Sequence, residues 1–233
     1  MAKSKTDKTT KRSKIIVEIA NGSKKLTDAL FELKILLSDL GSLEVVSWID
    51  SELKGYETDE KIPEYRKFDG VLYGNIEQSV LGSIVQRKMA IPIKVDRLDF
   101  RRRYLRENIT EIENYAEEKE QGEIAIPVDI RIANQIAALK LNEFTQIVSA
   151  WFKIPPSTYT TIINAVRSKI LDILIMLEKK YGNLDDYTIN FGKEDERVEV
   201  SQMVVNIIHN DNSISIGDNN KISKSEIGEN NEG

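Results

Sequence analysis

Two Glu-x-Lys triplets, Glu32-Leu33-Lys34 and Glu52-Leu53-Lys54, are the first residues in the chain whose types and spacing suit a reaction. Restriction-type nucleases place such a pair at a strand end, with an upstream aspartate to complete a metal site. Both triplets here lie in stretches of helical period, where residues two apart diverge by about 200°. That geometry disfavours a nuclease.

A second group is basic. Arg97, Arg101, Arg102, Arg103 and Arg106, with Phe100 and Tyr104 interleaved, could grip a phosphate backbone or stack a base. This makes nucleic acid a candidate partner. The simpler reading is a helix whose arginines pair with Glu107, Glu111, Glu113 or a neighbouring acidic turn, and an isoelectric point near 5.2 favours it. The acidic turn Glu57-Thr58-Asp59-Glu60 could bind a hard cation. No glycine-punctuated ligand ladder follows, so a solvated loop is preferred.

The chain has no cysteine and one histidine, which excludes disulfides and thiolate metal sites. That histidine, His209, sits in an Asn-rich stretch and is expected to be exposed. There is no glycine-rich phosphate loop, nucleophile elbow or His-rich metal spacing. Accordingly, no catalytic residue, metal or cofactor is assigned, and a non-enzymatic protein is expected.

The net charge of −5 is unevenly spread. Residues 1–14 carry six Lys or Arg against one Asp, or +5, so the remainder sums to −10. Residues 1–12 read as a basic, disordered arm. The start lacks the apolar core of a secretory signal, and no apolar run approaches the roughly 20 residues of a membrane span. A cytoplasmic protein without membrane contact is expected.

The elements that must position these groups are mostly helical. A short apolar group, Ile15, Ile16, Val17 and Ile19, predicts one or two turns. Leu26, Leu30, Leu33, Leu37 and Leu40 then recur at three to four residues, with Ser23 as the expected cap and Gly41 as the stop. Ser42 is expected to cap a third helix through Lys54, with Val45, Trp48, Ile49 and Leu53 on one side. So short a connection predicts an antiparallel helical hairpin.

Beyond Pro63 the pattern changes to short strands near Phe68–Ile76 and Lys88–Val95, with Glu77–Val85 ambiguous between turn and helix. Helices are predicted over Arg97–Gln121, Ile130 to about Leu141, Glu143–Phe152 and Tyr159–Tyr181. The last of these is to be capped by Ser157 or Thr158 and stopped by Gly182. The resulting fold class is α+β and mostly α: a helical bundle with a small antiparallel sheet over residues 13–184.

Residues 185–233 read differently. Tyr187–Phe191 and Val198–Ile208 look strand-like. Isolated Ile214, Ile216, Ile222 and Ile227 then alternate with small polar residues around Asn and Gly turns. With Ile207, they predict a β-rich tail that associates with copies of itself, since such strands need stacking neighbours. A homo-oligomer is expected, with a disordered tail as the alternative.

The densest cluster of rare residues is the stretch WIDSELKGYETDEKIPEYR, from Trp48 to Arg66. Gly55 supplies a positive φ at the helix end, Pro63 sets the exit direction, and Glu52 is placed to pair with Arg66 across the turn. A structural latch is preferred over a ligand site.

Trp48, Glu52, Gly55, Tyr56, Pro63, Tyr65 and Arg66 resemble the signature of the AbiTii domain of bacterial abortive-infection proteins. The Leu-periodic helix ending at Gly41, the stretch Ile109–Glu113, and the Pro-rich entry into Ile163–Glu178 with Arg167 resemble that family's later blocks. The resemblance implies antiviral defence by an effector or interaction module, with another defence protein or a phage component as partner. It implies no catalytic residue. The alternatives are an effector acting on nucleic acid through the arginines, and a nucleotide-signal sensor with its ligand between the signature turn and the sheet.

Overall fold

Periodic apolar residues wind the N-terminal part of the chain into three helices in this computed structural model, which describes residues 11–80, 82–90, 94–95, 98–99, 102–117, 125–138 and 145–209. They are α1 (Lys14–Ala20), α2 (Leu26–Leu36) and α3 (Leu43–Lys54), with a single 3-10 turn at Ser38–Leu40. Gly41 turns the chain at φ 75°, in the left-handed region a Cβ disfavours. The expected serine caps make no side-chain cap bond. Instead the Leu26 backbone N–H donates to Glu113 Oε1, 2.9 Å away on a later helix.

Residues 67–153 alternate between strands and short helices. In order they are β1 (Lys67–Asp69), β2 (Val71–Val80), β3 (Ser83–Ala90), β4 (Lys94–Val95), β5 (Leu98–Asp99), β6 (Arg102–Tyr104), α4 (Ile109–Glu117), β7 (Ala125–Val128), α5 (Ile130–Ala138) and β8 (Thr145–Lys153). All pairings are antiparallel: β1 with β6, β4 with β5, and a four-stranded sheet in the order β3-β2-β8-β7.

Two expectations for this region are corrected. The helix expected over Glu143–Phe152 is strand β8. Its buried residues Ile147, Ala150 and Phe152 break strict alternation because the register shifts between Asn75 and Ile76, leaving Val148 as an extra, exposed residue. That bulge concealed the period of two. The helix expected over Arg97–Gln121 starts only at Ile109. Asn108 Oδ1 accepts from the Glu111 N–H at 2.9 Å and Glu111 Oε2 accepts from the Asn108 N–H at 3.2 Å, a capping box that sets the boundary.

The C-terminal part holds α6 (Pro156–Tyr181) and α7 (Glu194–His209). Pro156 occupies the first turn of α6, where its missing N–H costs nothing. Along α6, Ile162, Val166, Ile170, Ile173, Leu174 and Leu177 are buried, and α1, α2, α4 and α7 all pack against this helix.

The β-rich tail is also corrected. Val198–Ile208 is not a strand but lies within α7, and Tyr187–Phe191 forms no strand. Glu194, Asp195 and Glu196 favour the helix start, and Val200, Val204 and Ile208 recur every four residues on the face that joins the helical core. Ile207, expected to drive self-association, is a partly buried residue packed against that core. Ile214, Ile216, Ile222 and Ile227 lie outside the described residues.

The fold class is α+β, with two clusters of buried side chains. One gathers α1 to α4, α6 and α7; the other lies between the four-stranded sheet and α5, around Leu72, Ile76, Ala133, Ile147 and Phe152. Ile126 of β7 packs against both. Among the described residues, no helix is long and apolar enough to cross a membrane.

Candidate functional site

Helix α3 places Trp48 and Glu52 four residues apart on one face, which turns both inward. Gly55 then ends the helix with φ 95° and ψ 169°. The next residue, Tyr56, donates its backbone N–H to the Arg106 carbonyl at 2.8 Å. A Cβ on Gly55 would stand 2.8 Å from that same carbonyl oxygen, so both the dihedral and the approach require glycine. After Pro63, a 3-10 turn over Glu64–Arg66 brings Tyr65 and Arg66 back to the helix.

Three of the signature residues converge on the carboxylate of a fourth, Glu52, and a fifth, Trp48, joins through one of them. Glu52 Oε1 accepts from Tyr56 Oη and Tyr65 Oη, both at 2.6 Å, and from Arg66 Nε at 3.2 Å. Arg66 Nη2 donates to Glu52 Oε2 at 2.6 Å, and Trp48 Nε1 donates to Tyr65 Oη at 3.0 Å. The remaining guanidinium nitrogen, Nη1, donates to the carbonyls of Glu107 and Leu105, at 2.6 and 3.2 Å. The guanidinium also lies over the Tyr56 ring, 4.9 Å from its centroid.

Neither Glu52 nor Arg66 has any solvent exposure. Burial opposes charge on the guanidinium, but the Glu52 carboxylate outweighs it and raises Arg66 above its usual value. Burial, then the negative charge of Glu52, push both tyrosine hydroxyls well above the usual phenol range. Tyr56 and Tyr65 therefore remain donors at any physiological pH. With no exposure and its oxygens engaged by four donors, the carboxylate is neither a base nor a nucleophile for an outside substrate. The arrangement locks α3 to residues 105–107.

A cavity of about 440 Å³ lies beside the lock, between α3, the 59–64 turn and the end of α7. Trp48 and Tyr56 line it, and its polar rim includes Glu44, Ser51, Lys61, Glu64 and His209. His209 is exposed, as expected, but it ends α7 and shares a 2.6 Å hydrogen bond with Glu44 of α3. The space beside the signature turn is thus bounded by α7.

The other sequence candidates are dispersed. Arg97 and Arg101 lie outside the described residues, and Arg102 opens β6. Arg103 stacks on Phe152 with its guanidinium carbon 3.7 Å from the ring centroid. Arg106 pairs through two nitrogens with Asp59 Oδ1, at 2.6 and 3.0 Å, and donates to the Glu57 carbonyl at 3.2 Å. The acidic turn is therefore joined to an arginine. The triplets Glu32-Leu33-Lys34 and Glu52-Leu53-Lys54 lie in helices, and their charged ends go elsewhere: Glu32 to Lys24, Lys34 and Lys54 to Asp50, and Glu52 to Arg66. Among the described residues, no three His, Cys, Asp or Glu side chains are grouped to hold a metal ion.

Three contributions were not singled out in the sequence. The Leu105 and Glu107 carbonyls that receive Arg66 leave no trace in residue type. Lys169 does: it falls on the buried stripe of α6, donates to the Ile207 carbonyl at 3.2 Å and lies 5.4 Å from the Tyr65 ring centroid. A lysine on an apolar stripe is a readable sign of an internal partner.

The AbiTii family model matches residues 13–203, which include the whole lock and most of α7. The chain belongs to the AbiTii family. No curated protein and no solved structure matches it. AbiTii membership suggests a role in abortive-infection defence against phage. In this AbiTii chain Glu52 and Arg66 meet in the interior, while Trp48 and Tyr56 also line the neighbouring cavity.

Proposed function

We propose that this AbiTii protein serves bacterial anti-phage defence by binding and assembly rather than by catalysis. The observation that carries this reading is the closed Glu52–Arg66 network. The most distinctive ionisable residues of the family signature are consumed in holding the fold, so the working surfaces lie outside it. The helical domain presents those surfaces to another defence protein or a phage component. The segment after α7, with Ile214, Ile216, Ile222 and Ile227, joins copies of the chain.

Two measurements test this. Cells expressing the full chain should form fewer plaques than cells without it; equal plaque counts would remove the defence role. Light scattering on the full chain should give a multiple of the monomer mass, reduced by Ile214→Asp with Ile216→Asp. A monomeric mass for the unaltered chain would remove self-assembly.

A further inference from the structure

The four-stranded sheet has one face against α5 and an opposite face whose composition follows from the register. Tyr73 of β2 stands directly opposite Trp151 of β8 on the two central strands. The same row continues to Ala90 on β3 and Pro127 on β7, both exposed. A band of flat or small apolar groups therefore crosses all four strands, with two aromatic rings at its centre.

The rows on either side each carry a lysine. One holds Lys88, Asn75 and Ser149, in which Asn75 Nδ2 donates to Ser149 Oγ at 2.9 Å. The other holds Val71, Lys153 and Ala125. The Lys88 ammonium lies 5.2 Å from the Trp151 ring centroid and 5.8 Å from that of Tyr73; Lys153 lies 5.9 Å from Tyr73. Farther along, Glu77 bears a negative charge, but it accepts from Gln86 Nε2 at 2.6 Å. Tyr73 and Trp151 are only half-buried and Lys88 is exposed.

We infer that this face binds a single strand of nucleic acid. Base faces would stack on Tyr73 and Trp151, and the flanking phosphates would meet Lys88 and Lys153. The chemistry favours this occupant. Aromatic rings side by side on central strands accept successive bases of any sequence, and a lysine on each side of the ring row supplies the charge the backbone needs. The Lys88 ammonium lies near both rings and can move outward to a phosphate when a base takes its place. A duplex keeps its base faces stacked internally and offers the rings nothing. The inference deepens the defence reading by naming the class of the partner, and it uses none of the arginines discussed above.

The test uses the full chain and a fluorescein-labelled oligothymidylate of about 20 nucleotides, longer than the roughly 4–16 nucleotides a comparable β-platform occupies. Binding is followed by anisotropy and by tryptophan emission, which Trp151 can report through stacking. Anisotropy should rise and emission should fall at low salt, with a log–log salt slope of about −1.4 for two phosphate contacts. Trp151→Leu or Tyr73→Leu should weaken binding about tenfold, and Lys88→Glu should reduce the slope by about 0.7 or more. Should Trp151→Leu fail to fold, Tyr73→Leu and Lys88→Glu carry the test.

Absence of binding at low salt would overturn the inference. So would binding unchanged by these substitutions, or equal affinity for a duplex of the same length. A chain that restricts plaques without binding the strand removes this inference and leaves the defence reading. A chain that binds the strand through these residues without restricting plaques does the reverse.

Discussion

Arg66 donates to both oxygens of Glu52, and neither side chain has any solvent exposure. A buried pair of this kind costs heavily when one member is removed, because the survivor remains charged without a partner. Glu52→Gln keeps the size of the side chain but strands the guanidinium. It is expected to lower the unfolding free energy by about 3–5 kcal/mol in chemical denaturation. Replacing both, as Glu52→Leu with Arg66→Met, is expected to cost less than either single change. A double variant whose loss equals the sum of the two singles would show that the pair is not coupled.

Gly55 is the second dependence of the lock. At φ 95°, alanine is strained, and its Cβ would meet the Arg106 carbonyl oxygen at 2.8 Å. That oxygen already accepts from the Tyr56 N–H, so it cannot withdraw without breaking that bond. Gly55→Ala should destabilise by about 1–3 kcal/mol or more. By contrast, Gly41→Ala meets no atom within 4 Å and carries only the dihedral strain, so it should cost less. Equal losses would mean that the close approach does not matter.

The helical part of this fold is readable because its spacing is regular. Leu26, Leu30 and Leu33, and the Ile162 to Leu177 stripe, recur at helical intervals and are buried. The pairing of Glu52 with Arg66 was legible from residue types placed on either side of a glycine and a proline. The strands were harder. In β8 the extra residue Val148 interrupts the alternation, and nothing local distinguishes a bulged strand from an apolar helix of the same length. In α7 the β-branched residues outweighed the four-residue spacing of Val200, Val204 and Ile208. The Tyr73–Trp151 pair joins residues 78 positions apart and depends on strand register, which a single sequence does not reveal.

That contrast in α7 can be tested directly. Read as a strand, Val198, Val200 and Val204 would share a face; in the helix, Val200 and Val204 are buried and Val198 is 48% exposed. Val204→Asp would bury an unpartnered carboxylate and is expected to cost about 3–5 kcal/mol, or roughly 10 °C in Tm. Val198→Asp should change Tm by less than about 2 °C. Comparable losses at both positions would contradict the helix.

Acid stability should depend on the clasp that joins the start of α1 to the end of α6. Glu178 Oε1 accepts from the Ser13 N–H at 2.6 Å and from Ser13 Oγ at 2.7 Å, while Arg12 pairs with its other oxygen. Ser13 Oγ in turn accepts from the Leu184 N–H at 2.9 Å. Partial burial opposes the charge, but the bonds from Ser13 and Arg12 outweigh it and hold the carboxyl below its ordinary value of 4.5. A carboxyl depressed by folding stabilises the native state above its unfolded value, and that contribution is lost as pH falls through the folded value. Glu178→Gln should therefore cost about 1.5–3 kcal/mol at neutral pH, the range for bonds to a charged group. The gap between the two proteins should stay level down to about pH 5 and close in more acidic solution, where the unaltered chain loses the charge too. A gap that persists undiminished at low pH would show that the clasp works through shape rather than charge.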